Sequence, residues 1–276
     1  MGVGAWRKGV KVAVVSLMLA GGSVGTGGAS DFVGRVSLRE AVQAFDEAAL
    51  RIDTAPASEL ARWTSPIFLA ISDQSGMAAY AADVEAVVRA FGAVTRVPVN
   101  RVDWRDPRAN FFVRANTGDT PGKSPCRSSV DWTDNGSMVR ADIHVNLANP
   151  GRITRCINHE VMHGFGFRGH AHSVFSVLSY RHADQAYLTD TDRLILESLY
   201  DPRLRAGMSV PATSAAACGI MAEKLSASAS DTAALCEGRG MVASRRRTIT
   251  FAGSARAADQ QAASLPSLHP GYRDGM

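Results

Sequence analysis

His159-Glu160-Val161-Met162-His163 places two imidazoles four positions apart, with a carboxylate directly after the first. In a helix, residues four apart lie about 40° apart around the axis, so both rings face one side and can grip one cation. Glu160 is turned away by about 100°. It can therefore reach a water on that cation without being a ligand. Neutral imidazoles suit zinc, and a nearby carboxylate is the base that a zinc-polarised water needs. The chemistry implied is hydrolysis assisted by one zinc ion per chain.

The motif continues as Gly164-Phe165-Gly166-Phe167-Arg168-Gly169-His170-Ala171-His172. Gly166 can turn the chain sharply out of the helix and return a third histidine to the metal. His159, His163, His170 and His172, four of the seven histidines, fall within fourteen residues. His144 and His182 read as ordinary polar residues, and Asp131, Asp134 and Asp142 match no calcium-loop spacing.

Elements must position these residues. The spacing predicts a helix over 153–164, preceded by strand segments at 67–72, 110–114 and 141–146. Residues 37–52 and 77–94 carry helical apolar stripes. Residues 118–136, rich in Gly, Pro, Ser and Asp, read as a long loop tied down by Cys126. Thr189 and Asp192 mark a capped helix start, Leu194, Ile195, Leu199 and Tyr200 give that helix its apolar side, and Asp201-Pro202 ends it. From 209 to 276 the Ala/Ser/Arg-rich composition predicts a poorly ordered tail with a disulfide loop, and Arg245-Arg246-Arg247 reads as a solvated patch.

Arg7, Lys8 and Lys11 precede an apolar run over 12–20 and small residues through Ala29, the pattern of a secretory signal peptide at 1–29. Of 276 residues, 30 are Lys or Arg and 26 Asp or Glu; without those three the formal charge is +1. That near-neutral balance leaves no electrostatic footprint for nucleic acid. No later stretch is long and apolar enough for a membrane span. Four cysteines, none in a CxxC pair, fit a secreted or periplasmic protein with disulfides. Three pairings are possible, and chain proximity favours Cys126 with Cys156 and Cys218 with Cys236.

The stretch HEVMHGFGFRGH resembles the metzincins, zinc metallopeptidases with HExxHxxGxxH followed by a Met-turn. Gly169 stands where the family has its third histidine, so that ligand shifts by one residue to His170 or by three to His172. Ser176-Val177-Leu178-Ser179-Tyr180 resembles the Met-turn, with Leu178 in place of methionine. The resemblance implies an α+β fold over 30–208: a small mixed sheet, an active-site helix and a C-terminal helix. It implies zinc on His159, His163 and His170, Glu160 as general base, and Tyr180 as a stabiliser of the oxyanion. The substrate would be a peptide or protein lying along an edge strand, expected at 141–146. The segment 188–208 resembles the C-terminal helix of an exported bacterial family of unknown function. The expected activity is that of an exported zinc endopeptidase. The alternative is a non-catalytic envelope protein or peptide-binding module with a structural or decayed zinc site, which His172 could close.

Overall fold

A computed structural model describes residues 35–52, 55–73, 76–116, 126–148, 150–182, 185–237 and 239. The expected leader at 1–29 and the arginine cluster at 245–247 lie outside the described residues.

Helix α1 (Leu38–Ala49) begins at Ser37, whose hydroxyl accepts from the Glu40 N–H while the Glu40 carboxylate accepts from the Ser37 N–H. A short hairpin follows, β1 (Arg51–Ile52) and β2 (Ala55–Pro56). Next come β3 (Ile67–Ile71), α2 (Ala81–Thr95), β4 (Val99–Arg101), β5 (Phe111–Ala115), β6 (Cys126–Trp132) and β7 (Met138–Val145). Helices α3 (Ile153–Gly164), α4 (Asp190–Leu199), α5 (Val210–Lys224) and α6 (Ala229–Cys236) follow. The class is α+β with a small mixed sheet, as the sequence predicts.

The five-stranded sheet has the order β4-β3-β5-β7-β6, with β6 antiparallel to β7 and the other pairs parallel. Register aligns Leu69, Phe111, Ala141 and Val130 in one row, and Ile71, Val113, Ile143 and Ser128 in the next. Side chains alternate across a strand, so both rows share one face. That face carries the core: α2 packs on β3 and β4, and α3 on β6 and β7. Each large side chain buried there, Phe111 or Ile143 for example, contributes about 1.5–3 kcal/mol.

Two expectations are corrected. The edge strand beside α3 is β6, not the segment 141–146, because β6 folds back on β7 through a turn closed by the Thr133 N–H on the Ser137 carbonyl. The sequence reads as a loop there because turn-forming residues outnumber the apolar ones that alternate along β6. The tail is not poorly ordered from 209, since α5 and α6 occupy most of 210–236. Alanine is the strongest helix former, and Thr213, Ala217, Ile220 and Met221 are buried as α5 packs on α1 and α4. Few large side chains are needed when small ones bring helices close.

Both favoured disulfides are present: Cys126–Cys156 joins β6 to α3, and Cys218–Cys236 joins α5 to α6. Among the described residues, no helix is long and apolar enough to cross a membrane.

Candidate metal centre

Helix α3 is buried along most of its length, and its C-terminal carbonyls are met from distant parts of the chain. Trp63 Nε1 donates to the Gly164 carbonyl at 2.8 Å, and the Tyr200 hydroxyl donates to the Phe165 carbonyl at 2.9 Å. These bonds satisfy groups that a helix end otherwise leaves orphaned. Gly166 then turns the chain with φ at 108°, where a Cβ would lie 2.6 Å from the Ala61 carbonyl oxygen. Only glycine fits.

The turn explains the shifted third histidine. Gly169 donates its N–H to the Ala48 carbonyl at 2.8 Å, and a Cβ at 169 would lie 2.3 Å from the Glu47 carbonyl oxygen. The C-terminal end of α1 therefore leaves no space for a side chain at 169. His170 takes the place instead.

His159, His163 and His170 present ligand atoms that all lie within 4.8 Å of one another, a set that could hold a metal ion. The Nδ1 atoms of His159 and His163 face the carbonyl oxygens of Val177 and Phe167 at 2.7 and 2.5 Å. A carbonyl can only accept, so each Nδ1 carries a proton, and in the neutral ring it is Nε2 that keeps the lone pair. Those two Nε2 atoms stand 3.2 Å apart, and among the described residues the buried Nε2 of His170 has no hydrogen-bond partner. Lone pairs converging in this way fit a cation. Burial first, and the neighbouring imidazoles second, push the His159 pKa down to about 2 and that of His170 to about 3, which keeps both rings neutral.

Glu160 is buried beside the cluster, and its Oε2 accepts from the Ser128 hydroxyl at 2.7 Å. Burial raises its pKa, opposed by His163 and the Ser128 bond. Ser128 lies in the stretch read from sequence as loop; its signal, a polar residue on the apolar face of β6, is visible only once the strand is known. The Tyr180 ring is 59% exposed and stacks on His170, centroids 4.2 Å apart. Leu178 is fully buried in the turn between them.

The other histidines separate from the site. His172 is exposed, its ring 5.8 Å from that of His170. His144 lies on the opposite face of the sheet from Ile143, with the Arg114 guanidinium 3.0 Å from its Nε2. His182 packs against Phe175. Among Asp131, Asp134 and Asp142, only Asp142 is engaged in a strong ion pair, with Arg140 at 2.5 Å, among the described residues.

A cleft of about 460 Å³ opens over the cluster, lined by Ser128, Trp132, Glu160, Arg168 and Tyr180 and bordered by Ile52 of the hairpin. A larger groove of about 770 Å³ runs past Arg62, Thr95 and Tyr200 but holds no set of metal ligands among the described residues.

The family model described as "Protein of unknown function (DUF2927)" matches residues 39–217, which include both α3 and the segment 188–208. No curated protein matches the chain.

Proposed function

We propose that this chain, which belongs to the DUF2927 family of proteins of unknown function, is an exported zinc-dependent peptidase with a metzincin-like arrangement of its site. The single observation that carries the reading is the convergence of His159, His163 and His170 beside the Ser128-bonded carboxylate of Glu160. Zinc held by those three histidines would supply Lewis acidity, lowering the pKa of water to about 7 and polarising a carbonyl.

The remaining work falls to the chain's own groups. Glu160 takes a proton from the attacking water and returns it to the leaving amine, with Ser128 fixing the carboxylate for both transfers. Tyr180, whose largely exposed ring stacks on His170, would donate its hydroxyl proton to the developing oxyanion. β6, at the rim of the sheet among the described residues, would offer main-chain groups to an extended peptide running past the cluster as an added strand. A site of three protein ligands supports this reading over a closed structural one: among the described residues no fourth ligand joins the cluster, and His172 lies outside it.

The test is elemental analysis of the full chain after export, with cleavage of an unfolded protein followed in parallel. One zinc per chain, lost in His170→Ala and kept in His172→Ala, is expected. Glu160→Ala keeps the zinc and loses cleavage. Undiminished cleavage by Glu160→Ala, or no zinc uptake by the wild type, would refute the reading.

A further inference from the structure

Arg168 lies between the second and third histidines and lines the same cleft, yet it is only 7% exposed. One guanidinium nitrogen, Nη2, donates to the Glu59 carbonyl oxygen. The guanidinium carbon lies 4.6 Å from the centre of the Trp132 ring. Among the described residues Nε and Nη1 meet no acceptor, which leaves three N–H bonds unmatched there. Arg168 forms no salt bridge among the described residues, and Glu59 attracts it only at longer range.

Arg62, half-buried, shows what a structural arginine looks like in this fold. Its guanidinium donates to the carbonyls of Leu199, Tyr200, Asp201 and Leu204 and so closes the end of α4. Arg168 has no such set. A buried cation with unmatched donors is costly to keep, and it stays charged because guanidinium does not give up its proton at any physiological pH. Its position in the wall of the cleft supplies the reason for keeping it.

We propose that Arg168 recognises a carboxylate of the bound peptide, seated beside the three histidines and against the Trp132 indole. The setting rests on the peptidase reading above, while the anion chemistry rests on Arg168 itself. Guanidinium donors pair with carboxylates in charge-assisted hydrogen bonds, and the half-buried Trp132, packed on the guanidinium in the same wall, would have to shift to admit one. Two sources carry that group, an acidic side chain and a chain terminus. Glu160 is the acid already lining the cleft, and its bond to Ser128 holds it away from this role.

The test titrates three peptides into the full-length protein, with zinc added and with zinc removed: acetyl-Ala-Glu-amide, acetyl-Ala-Gln-amide, and acetyl-Ala-Gln with a free terminal carboxylate. Binding is read from the NMR signals of the Arg168 Nε–H and the Trp132 indole N–H. At least ten-fold tighter binding of a carboxylate peptide than of the neutral one is expected in both metal states. Which of the two binds tighter identifies the source. In Arg168→Gln the preference vanishes while the neutral peptide binds as before. Equal affinities for all three peptides in the wild type would overturn the proposal, whatever the variant does. So would a preference that survives in Arg168→Gln, or one that appears only when zinc is bound, since the metal would then be reading the carboxylate. A preference in protein that takes up no zinc would uphold Arg168 and overturn the zinc reading instead.

Discussion

Asp192 and His159 are joined through the backbone of one residue: Asp192 Oδ2 accepts from the Val177 N–H at 2.9 Å, and the Val177 carbonyl accepts from His159 Nδ1 at 2.7 Å. Asp192 also accepts from the Ser176 hydroxyl at 2.5 Å and from the Thr189 N–H and hydroxyl, each at 2.8 Å. The cap of α4 thus fixes the turn that fixes the first histidine. Such supporting bonds set a ligand's tautomer and ring orientation.

Asp192→Asn keeps the shape of the side chain but turns an amide toward donors that expect an acceptor. Destabilisation of about 2–3 kcal/mol is expected, with zinc affinity weakened about ten-fold or more. Thermal unfolding and a zinc titration check the two effects. Wild-type zinc affinity in a folded Asn variant would break the proposed link.

The two disulfides should differ in consequence. Each closes a loop, of separation 30 for Cys126–Cys156 and 18 for Cys218–Cys236, and chain entropy assigns about 3–4 kcal/mol to either. Only the first ties the edge strand β6 to α3, within one helical turn of His159. Replacing Cys126 and Cys156 by serine should therefore lower both stability and zinc affinity, whereas the Cys218 and Cys236 pair of replacements lowers stability alone. Equal zinc affinity in the two double variants would contradict this assignment.

Alanine at three glycines gives a graded series. Gly169→Ala drives a Cβ against the Glu47 carbonyl and should cost about 2 kcal/mol or more, with loss of metal affinity because His170 must move. Gly166→Ala adds a strained positive φ to a clash with Ala61 and costs at least as much. A Cβ added at Gly219, within α5, would meet nothing within 4 Å among the described residues, so Gly219→Ala should stabilise by about 0.5–1 kcal/mol. Denaturant midpoints rank all three, and a stable Gly169→Ala would show that α1 does not confine that turn.

Asp201 provides a pH signature away from the site. Its hydrogen bonds from Arg203 hold its pKa below the ordinary carboxylate value, so the stabilisation is present above about pH 4 and is lost as pH falls through the folded pKa. Arg203 is half exposed, which limits the effect to under about 1 kcal/mol. Unfolding curves of wild type and Asp201→Asn should differ by a constant amount above about pH 5 and converge below about pH 4. A gap that widens on acidification would reverse the sign argued here.

Much of the centre is legible in the chain because it is local. The i, i+4 pair of histidines needs only a helix to converge, and the Ser37–Glu40 and Thr189–Asp192 boxes are written within four residues each. The edge strand is not legible in this way: β6 is apolar at only part of its inward positions, and its place at the rim follows from pairing with β7. The helices after 209 are hidden for a related reason, since alanine signals helix only when something packs on it.

By itself the sequence determined the ligand types, the tautomer-ready spacing of His159 and His163 and the carboxylate beside them. Those follow from bonded geometry and helix pitch, which act over a few residues. The tertiary structure decided that His170 rather than His172 completes the cluster, that Ser128 meets Glu160 and that Arg168 sits unmatched in the cleft wall. Each depends on which backbone lies against which: the end of α1 behind Gly169, β6 beside α3, and Trp132 over a guanidinium. Contacts between segments far apart in the chain are set by burial and packing, which no local pattern records.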